Sequence, residues 1–259
     1  MPQTSTNQMT DTNITIIGAG IVGLAIAARL SDEFENIVVI ERNSSFGQET
    51  SSRNSEVIHS GIYYPEGSLK AQLCVKGRQL LYDYCEKHEI LHKKCGKLIV
   101  ATDNEEGKQL PGILEQSKKN GVKTGRHIAF DEVKELEPNV IARTALFFPE
   151  SGIVDSHGLM KELKREAIVK KVDMAFNNRV THLRRINEGY EVTVKDDYGD
   201  FTFSTGAIIN AAGLGAYNIS QMMGIDDPLY RTYYWKGEYW AVGNGKNKLV
   251  SRLVYPVPE

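Results

Sequence analysis

The chain contains few of the features that support extracellular or membrane-spanning proteins. It has only 3 cysteines among 259 residues, and an odd number gives no disulfide framework but suits a reducing compartment. No apolar run approaches the ~20 residues needed to span a bilayer. Residues 1–12 have neither an apolar core nor an arginine, so they predict a short disordered tail rather than a targeting signal. We therefore expect a cytoplasmic protein, and peripheral contact with the inner membrane stays open.

The charge pattern also excludes classes of partner. The net charge is −2 and no dense run of lysine or arginine occurs, so nucleic acid is not expected to bind. With 41% hydrophobic and 25% charged residues, the composition is that of an ordinary globular protein. The length suffices for one large or two modest domains.

What the chain does contain is a complete dinucleotide-binding βαβ pattern. A buried strand is predicted at 13–17, followed by GxGxxG at residues 18–23, a helix to about Leu30 and a second strand at 36–40. Gly18 permits a tight turn, Gly20 lets the backbone approach a pyrophosphate, and Gly23 lets helix and strand pack closely. The helix N-terminus attracts phosphates, and Glu41 can accept ribose hydroxyls. The pattern predicts an adenine dinucleotide, but Glu41 suits NAD and FAD equally.

Later segments predict a mixed architecture. Helices are expected at 68–88, 105–120 and 156–171, and strands at 97–101, 145–148 and 152–154. Strands then dominate, at 179–185, 190–195, 200–205, 206–210 and 230–242. We predict an α/β fold, with a doubly wound, Rossmann-like dinucleotide domain at 13–88 and 145–225. An interleaved, incomplete mixed-sheet substrate domain is expected at 89–144 and 226–259.

Residues 51–75, SSRNSEVIHSGIYYPEGSLKAQLCV, resemble the signature of the L-2-hydroxyglutarate dehydrogenase/oxidase family. That family belongs to the FAD-dependent oxidoreductases, with D-amino-acid oxidases and glycerol-3-phosphate dehydrogenases. The resemblance continues in order through CGKLIVA (95–101), EPNV (137–140), GIVD (152–155), NAAG (210–213), KGEY (236–239) and YPVP (255–258). It therefore extends over nearly the whole chain.

The resemblance implies FAD as cofactor. The glycines would face the pyrophosphate, and the hydroxyl and amide side chains after residue 50 would bind the phosphates and the chain leading to the flavin. Val180 would meet the adenine through its backbone. The implied cofactor-binding residues are Gly18, Gly20, Ile21, Val22, Gly23, Glu41, Arg42, Ser51, Ser52, Asn54, Gly61, Val180, Ala212 and Gly213.

The same resemblance implies oxidation of L-2-hydroxyglutarate, a small 2-hydroxy dicarboxylate, to 2-oxoglutarate, with a quinone-type acceptor or oxygen taking the electrons. His59 is the candidate base, because an imidazole can remove a hydroxyl proton near neutral pH. Tyr63 could line the pocket or fill the core. The candidate substrate-binding residues are Arg53, Tyr64, Lys70, Lys236, Arg252 and Tyr255.

Two further points limit these expectations. Cys85, His88, His92 and Cys95 have the spacing of a helical zinc site, but a helix ending near His88 would separate them, and we expect no metal.

The family's chains also continue well beyond the point where this sequence stops. We therefore expect a fragment, a truncated product or a chain completed by a partner. A related amine or amino-acid oxidase, a glycerol-3-phosphate dehydrogenase-like enzyme and a non-catalytic flavin-binding fragment remain alternatives.

Overall fold

The computed structural model describes residues 10–243 and 245–258. Most of the predicted tail lies outside this range, but Asp11 and Thr12 are ordered. A long-range contact holds this segment in place, since the Asp11 carboxylate accepts hydrogen bonds of 2.8 Å from the Ser204 amide and hydroxyl. No helix in the described part of the chain is both long and apolar enough to cross a membrane.

Helices and strands alternate through most of these residues. In chain order the strands are Thr12–Ile17 (β1), Ile37–Ile40 (β2), Val57–Ile58 (β3), His92–Lys93 (β4), Lys97–Ala101 (β5), Arg126–Ala129 (β6), Thr144–Phe148 (β7), Gly152–Val154 (β8), Asp173–Ala175 (β9), Arg179–Ile186 (β10), Gly189–Lys195 (β11), Asp200–Asn210 (β12) and Leu253–Pro256 (β13). The α-helices are Ile21–Leu30 (α1), Leu69–Lys87 (α2), Asn104–Lys119 (α3), Phe130–Leu136 (α4), Ser156–Val169 (α5) and Ala216–Met222 (α6).

The chain divides into two compact units. Unit 1 comprises the described residues up to Asn54 and Ser156–Gly237, and unit 2 comprises Ser55–Asp155 and the described residues from Glu238 onward. These limits differ from the expected ones mainly because α2 packs within unit 2, where the Tyr82 hydroxyl donates to the Glu150 carbonyl. The assignment of cofactor and substrate roles to domains stays a prediction.

Unit 1 contains a six-stranded sheet in the order β10-β11-β12-β1-β2-β9. β12, β1, β2 and β9 run parallel, whereas β10 and β11 add an antiparallel hairpin. The apolar side chains of β1 and β2 form part of its core, with Ile16 and Val39 almost fully buried. This arrangement confirms the predicted βαβ unit, hairpin and α/β class.

Unit 2 contains a four-stranded sheet, β13-β5-β7-β6, and a small sheet, β3-β8-β4. Alternate residues of β5 enter two cores, Ile99 and Ala101 in one and Leu98 and Val100 in the other. This burial on both faces explains why the strand is apolar along almost its whole length.

The strand predicted at 230–242 is wrong. A short 3₁₀ turn covers Pro228–Tyr230, and residues 231–242 form neither helix nor strand, with Trp235 94% exposed. Aromatic residues favour strands only where they pack on a half-buried pleated surface, and no described strand pairs with this segment.

Candidate functional site

The turn between β1 and α1 can be formed only by glycine at two positions. Gly18 has φ +109°, and a Cβ there would lie 2.4 Å from the Ala211 carbonyl oxygen. A Cβ on Gly23 would lie 1.9 Å from the Gly18 carbonyl oxygen. The glycines therefore bring β1, α1 and the end of β12 into the close packing typical of dinucleotide-binding turns.

The N-terminus of α1 is open and carries a serine hydroxyl. The Ile21 amide donates to Ser51 Oγ at 3.0 Å, and a Cβ on Gly20 would lie 3.0 Å from the same atom. Val22, in the same first turn, is 60% exposed. Amide groups and a hydroxyl at a helix N-terminus form a site suited to a phosphate.

Glu41 follows β2 and is almost buried. Its Oε2 accepts the Ala19 amide at 2.9 Å, while Oε1 accepts the Asn43 amide at 2.8 Å and the Asn43 side chain at 2.9 Å. A carboxylate has about four acceptor positions, so about one remains for a ribose hydroxyl. The carboxylate is thus held beside the glycine turn.

Arg42 is held by a neighbouring acid. Its Nε donates to Glu49 Oε1 at 2.7 Å, and this hydrogen bond is the main reason that the pKa of Glu49 lies below its usual value. The guanidinium therefore has a fixed direction on the surface of unit 1.

The residues after Ser51 bind one another locally. Ser52 Oγ donates to the Glu49 carbonyl at 3.0 Å and accepts Arg53 Nη1 at 2.8 Å, while Asn54 Nδ2 donates to the Ser51 carbonyl at 2.8 Å. Arg53 therefore belongs to unit 1 and contacts Ser52.

The remaining predicted residues of unit 1 are spread more widely. Val180 lies in β10, at a bulge between Val180 and His182, and is buried. A Cβ on Gly18 would meet both Ala211 and Ala212, with the Ala212 Cα at 3.1 Å, and the Ala212 amide contacts Asn210 Oδ1 at 3.3 Å. Gly213 has φ +53° and a Cβ on it would meet nothing within 4 Å. Lys236 lies in the irregular segment 231–242.

In unit 2 a buried lysine lies between two tyrosine rings. Lys97 begins β5 and is 2% exposed, with Nζ 3.9 Å from the centre of the Tyr255 ring and 5.8 Å from that of Tyr63. Burial of Lys97 lowers its pKa to about 8. Burial of Tyr63 raises the pKa of its hydroxyl group to about 12, and the nearby Tyr255 contributes to this increase. We call Lys97, Tyr63 and Tyr255 the lysine box.

His59 follows β3 in the same unit and keeps a solvent-accessible edge. Desolvation lowers its pKa below the usual value, and the positive charges of Lys97 and Lys70 lower it further. Lys70 Nζ lies 4.6 Å from the centre of the Tyr64 ring. The structure thus brings together four predicted residues, His59, Tyr64, Lys70 and Tyr255.

The turn from Gly61 to Tyr64 is fixed by two helices. Gly61 has φ +88°, and a Cβ there would lie 3.1 Å from Val75 on α2. Asn120, at the end of α3, donates to the Gly61 carbonyl at 2.9 Å and to that of Tyr64 at 2.8 Å. This packing places Gly61 in a structural role within unit 2.

Arg252 has a structural partner in unit 2. Its Nη1 lies 3.3 Å from the Glu137 carboxylate and 2.6 Å from the Leu136 carbonyl oxygen. Glu137 is 2% exposed and also accepts Ser251 Oγ at 2.6 Å. The guanidinium therefore holds the segment before β13 against the end of α4.

The four cysteine and histidine residues with metal-like spacing do not share one helix. α2 ends at Lys87, and His92 lies on β4 with Nδ1 2.8 Å from the Ile90 carbonyl oxygen. Burial raises the pKa of the Cys85 thiol to about 11, so this thiol stays protonated at neutral pH.

Three residues of these sites were not predicted from the sequence, namely Lys97, Asn43 and Asn120. The lysine that begins the apolar strand KLIVA gives no local sign of its burial, because a lysine usually lies at the surface. The two asparagines act through contacts with Glu41 and with the Gly61 turn, and no local pattern reveals such contacts.

Comparisons with known proteins cover almost the whole chain. The model of the FAD dependent oxidoreductase family matches residues 13–259. L-2-hydroxyglutarate dehydrogenases named as mitochondrial in Arabidopsis thaliana and Pongo abelii are 36% and 35% identical, and that of Escherichia coli K12 is 30% identical. These matches cover 94–95% of this chain but only 56%, 61% and 58% of those relatives.

Solved structures agree on the fold. The FAD-bound L-α-glycerophosphate oxidase of Mycoplasma pneumoniae superposes with a TM-score of 0.77 at 27% identity, over 83% of this chain and 57% of that one. Glycine oxidase of Geobacillus kaustophilus, at 20% identity, superposes with a TM-score of 0.74 over 83% and 59% of the two chains. The chain spans little more than half the length of the proteins that it matches.

Proposed function

The chain belongs to the family of FAD-dependent oxidoreductases, and on that premise we propose that it is the FAD-binding part of an enzyme that oxidises L-2-hydroxyglutarate to 2-oxoglutarate. The observation that carries the substrate proposal is the group of His59, Lys70 and the lysine box within unit 2. Relatives at 30–36% identity that are named L-2-hydroxyglutarate dehydrogenase support it.

Unit 1 has residues that fit FAD. The glycines give the close packing of β1, α1 and the end of β12 that is typical of dinucleotide-binding turns, and the N-terminus of α1 with Ser51 suits phosphates. Glu41 would take a ribose hydroxyl at its remaining acceptor position. When bound, FAD accepts the C2 hydrogen of the substrate together with two electrons.

The protein would supply the proton acceptor and the charge. Oxidation of the alcohol removes one proton from the hydroxyl group and one hydrogen with two electrons from C2. Desolvation and the charges of Lys97 and Lys70 lower the pKa of His59, which favours the neutral imidazole whose nitrogen can take the hydroxyl proton. A positioned base of this kind contributes ~10²–10⁴-fold to a rate. Lys70, held over Tyr64, would bind a carboxylate.

A second candidate is oxidation of a phosphorylated alcohol. The similarity to an L-α-glycerophosphate oxidase at 27% identity favours it, because cations beside a proton acceptor would also suit a phosphate monoester. An amino-acid substrate has comparable support, since an L-proline dehydrogenase is similar at 26% identity, whereas the glycine oxidase and L-amino acid deaminase neighbours near 20% identity share only the fold. A third possibility is a fragment that binds flavin without reacting.

The electron acceptor and the location of the protein belong to the same proposal. We propose a quinone-type acceptor or oxygen for the electrons, and a cytoplasmic location with peripheral membrane contact when a quinone is used. Separate assays with a soluble quinone and with oxygen would distinguish the two acceptors.

The test is an anaerobic titration of the purified chain with FAD added. Loss of the oxidised flavin absorbance with L-2-hydroxyglutarate, and not with its D-enantiomer, is the expected result. Reduction by glycerol 3-phosphate alone would favour the second candidate, and reduction by amino acids alone would favour an amino-acid oxidase. FAD binding without reduction by any of these compounds would identify a non-catalytic flavin-binding fragment.

A further inference from the structure

Lys97 is a buried cation without a matching anion. It lies on the first residue of β5, is 2% exposed, and forms no salt bridge with any residue of the described chain. Burying an ion costs several kcal/mol unless it is paired. Such a position needs a compensating interaction.

The two tyrosine rings compensate only part of this cost. A cation–π contact offsets part of the cost of desolvation, and Tyr255 is the ring in close contact with Nζ. An ammonium group also has three N–H donors, for which a ring face is a poor acceptor. Since the pKa of Lys97 is about 8, the group is still mostly charged at pH 7. The lysine box therefore holds a positive charge ready for an anion.

The neighbouring groups define the kind of anion. The charges of both Lys97 and Lys70 act on His59, so each of these two cations lies within electrostatic range of the proton acceptor. A 2-hydroxy dicarboxylate has the complementary pattern of two carboxylates and one hydroxyl group. Lys70 is exposed whereas Lys97 is buried, so the two cations differ in how strongly they discriminate between ligands.

We propose that the lysine box is the subsite for the carboxylate that lies farther from the hydroxyl group of the substrate. Lys97 thereby selects dicarboxylates over monocarboxylates. The inference rests on the proposed function and adds its specificity-determining residue. A ligand with a methyl group in place of that carboxylate would leave a buried ammonium unpaired, and sites of this kind reject such ligands strongly.

The test compares two ligands that differ only at this end, L-2-hydroxyglutarate and L-2-hydroxyvalerate. Binding to the chain in the presence of FAD is measured by calorimetry for the parent, for Lys97→Met, and for Lys118→Met as a control. Lys118 is an exposed lysine on α3, so its substitution changes the net charge equally. Far-ultraviolet circular dichroism checks that each variant is folded.

We expect Lys97→Met to weaken binding of L-2-hydroxyglutarate about 10- to 100-fold, the effect of losing a hydrogen bond to a charged group. Binding of L-2-hydroxyvalerate should become tighter, because Lys97→Met removes the ammonium that this ligand leaves unpaired, and Lys118→Met should resemble the parent. Unchanged affinity of Lys97→Met for the dicarboxylate, or an equal loss for both ligands, would overturn the subsite while leaving the proposed function intact. Failure of the parent to bind either acid would instead overturn both proposals.

A second measurement uses only the parent protein and therefore does not depend on whether a variant folds. Nuclear magnetic resonance of labelled lysine side chains in the parent follows the titration of a buried ammonium directly. We expect L-2-hydroxyglutarate to raise the pKa of Lys97 from about 8, and L-2-hydroxyvalerate to leave it unchanged. An equal response to both ligands would contradict the subsite.

Discussion

Gly18 and Gly23 are in such close contact that a single methyl group on Gly23 would overlap the Gly18 carbonyl oxygen, at 1.9 Å. The overlap involves backbone atoms, which cannot move aside by rotating a side chain. Helix α1 therefore lies as near to the end of β1 as its backbone permits, and its N-terminal amide groups point to the place where a phosphate would bind.

Replacing Gly23 with alanine should therefore separate α1 from β1. We expect Gly23→Ala to destabilise the fold by about 1–3 kcal/mol, the usual cost of overpacking, and to weaken FAD binding. The matched control is Gly112→Ala in helix α3, where a new Cβ meets nothing within 4 Å. That variant should gain up to about 1 kcal/mol from helix propensity. Urea unfolding and retained flavin are the measurements, and equal stability of the two variants would contradict the contact.

Ser51 should contribute both to stability and to FAD binding, whereas Ser68 should contribute to stability alone. Ser51 Oγ accepts the first amide of α1, and Ser68 Oγ accepts the Ala71 amide at the start of α2. Each serine-to-alanine change should cost about 1 kcal/mol of stability, as is typical of helix caps. Only Ser51→Ala should also weaken FAD binding, which a flavin fluorescence titration would measure. Equal flavin affinity in the two variants would remove Ser51 from the cofactor site.

Lys97 should make stability depend on pH. Its pKa is about 8 in the folded chain against about 10.4 when unfolded, so between these values the unfolded chain binds more protons. Stability should therefore rise with pH across this window, by up to about 3 kcal/mol. Urea unfolding of the parent and of Lys97→Met at pH 7 and pH 9.5 measures the effect. The stability of the parent relative to Lys97→Met should increase at the higher pH, and a constant difference would show that folding does not lower the pKa of Lys97.

Glu137 should be important for the stability of unit 2. It is buried and binds Ser251 and Arg252 across a long stretch of sequence. Because Glu137→Ala leaves a partly buried guanidinium without its carboxylate, we expect a loss of about 3 kcal/mol in the free energy of unfolding. Glu132→Ala in α4, the helix that Glu137 follows, is the control, since Glu132 forms an exposed pair with Arg126. A similar urea midpoint for both variants would show that the buried contact contributes little.

The sequence could predict the βαβ unit because its signals are local. Glycines at fixed spacing, an alanine-rich helix and two apolar strands each require only neighbouring residues, and the bounds of β1 and β2 and the end of α1 agree within one residue. The hairpin of β10 and β11 was predictable for the same reason, from the glycine that ends its turn.

The lysine box could not be predicted in the same way. A lysine usually lies at the surface, and Lys97 is buried partly because β13 pairs with β5 in parallel, with Leu253 opposite Lys97. That pairing joins residues that are far apart in the chain, so no local pattern reports it. For the aromatic segment 230–242 the sequence predicts a strand that the structure lacks. Strand-forming residues are present there, but no described strand pairs with them.

The pairing of β12 with β1 also bears on how the protein is made. Asp11 and Ser204 form hydrogen bonds although they are 193 residues apart, and β1 pairs on one side with β2 and on the other with β12. Contacts of such large separation form slowly, because most of the chain must be ordered first. During synthesis from the N-terminus, β1 emerges long before β12 exists, and one edge of an apolar strand stays without its partner. A ribosome-bound chain that stops before residue 200 should therefore be a strong client of chaperones that shield nascent polypeptides.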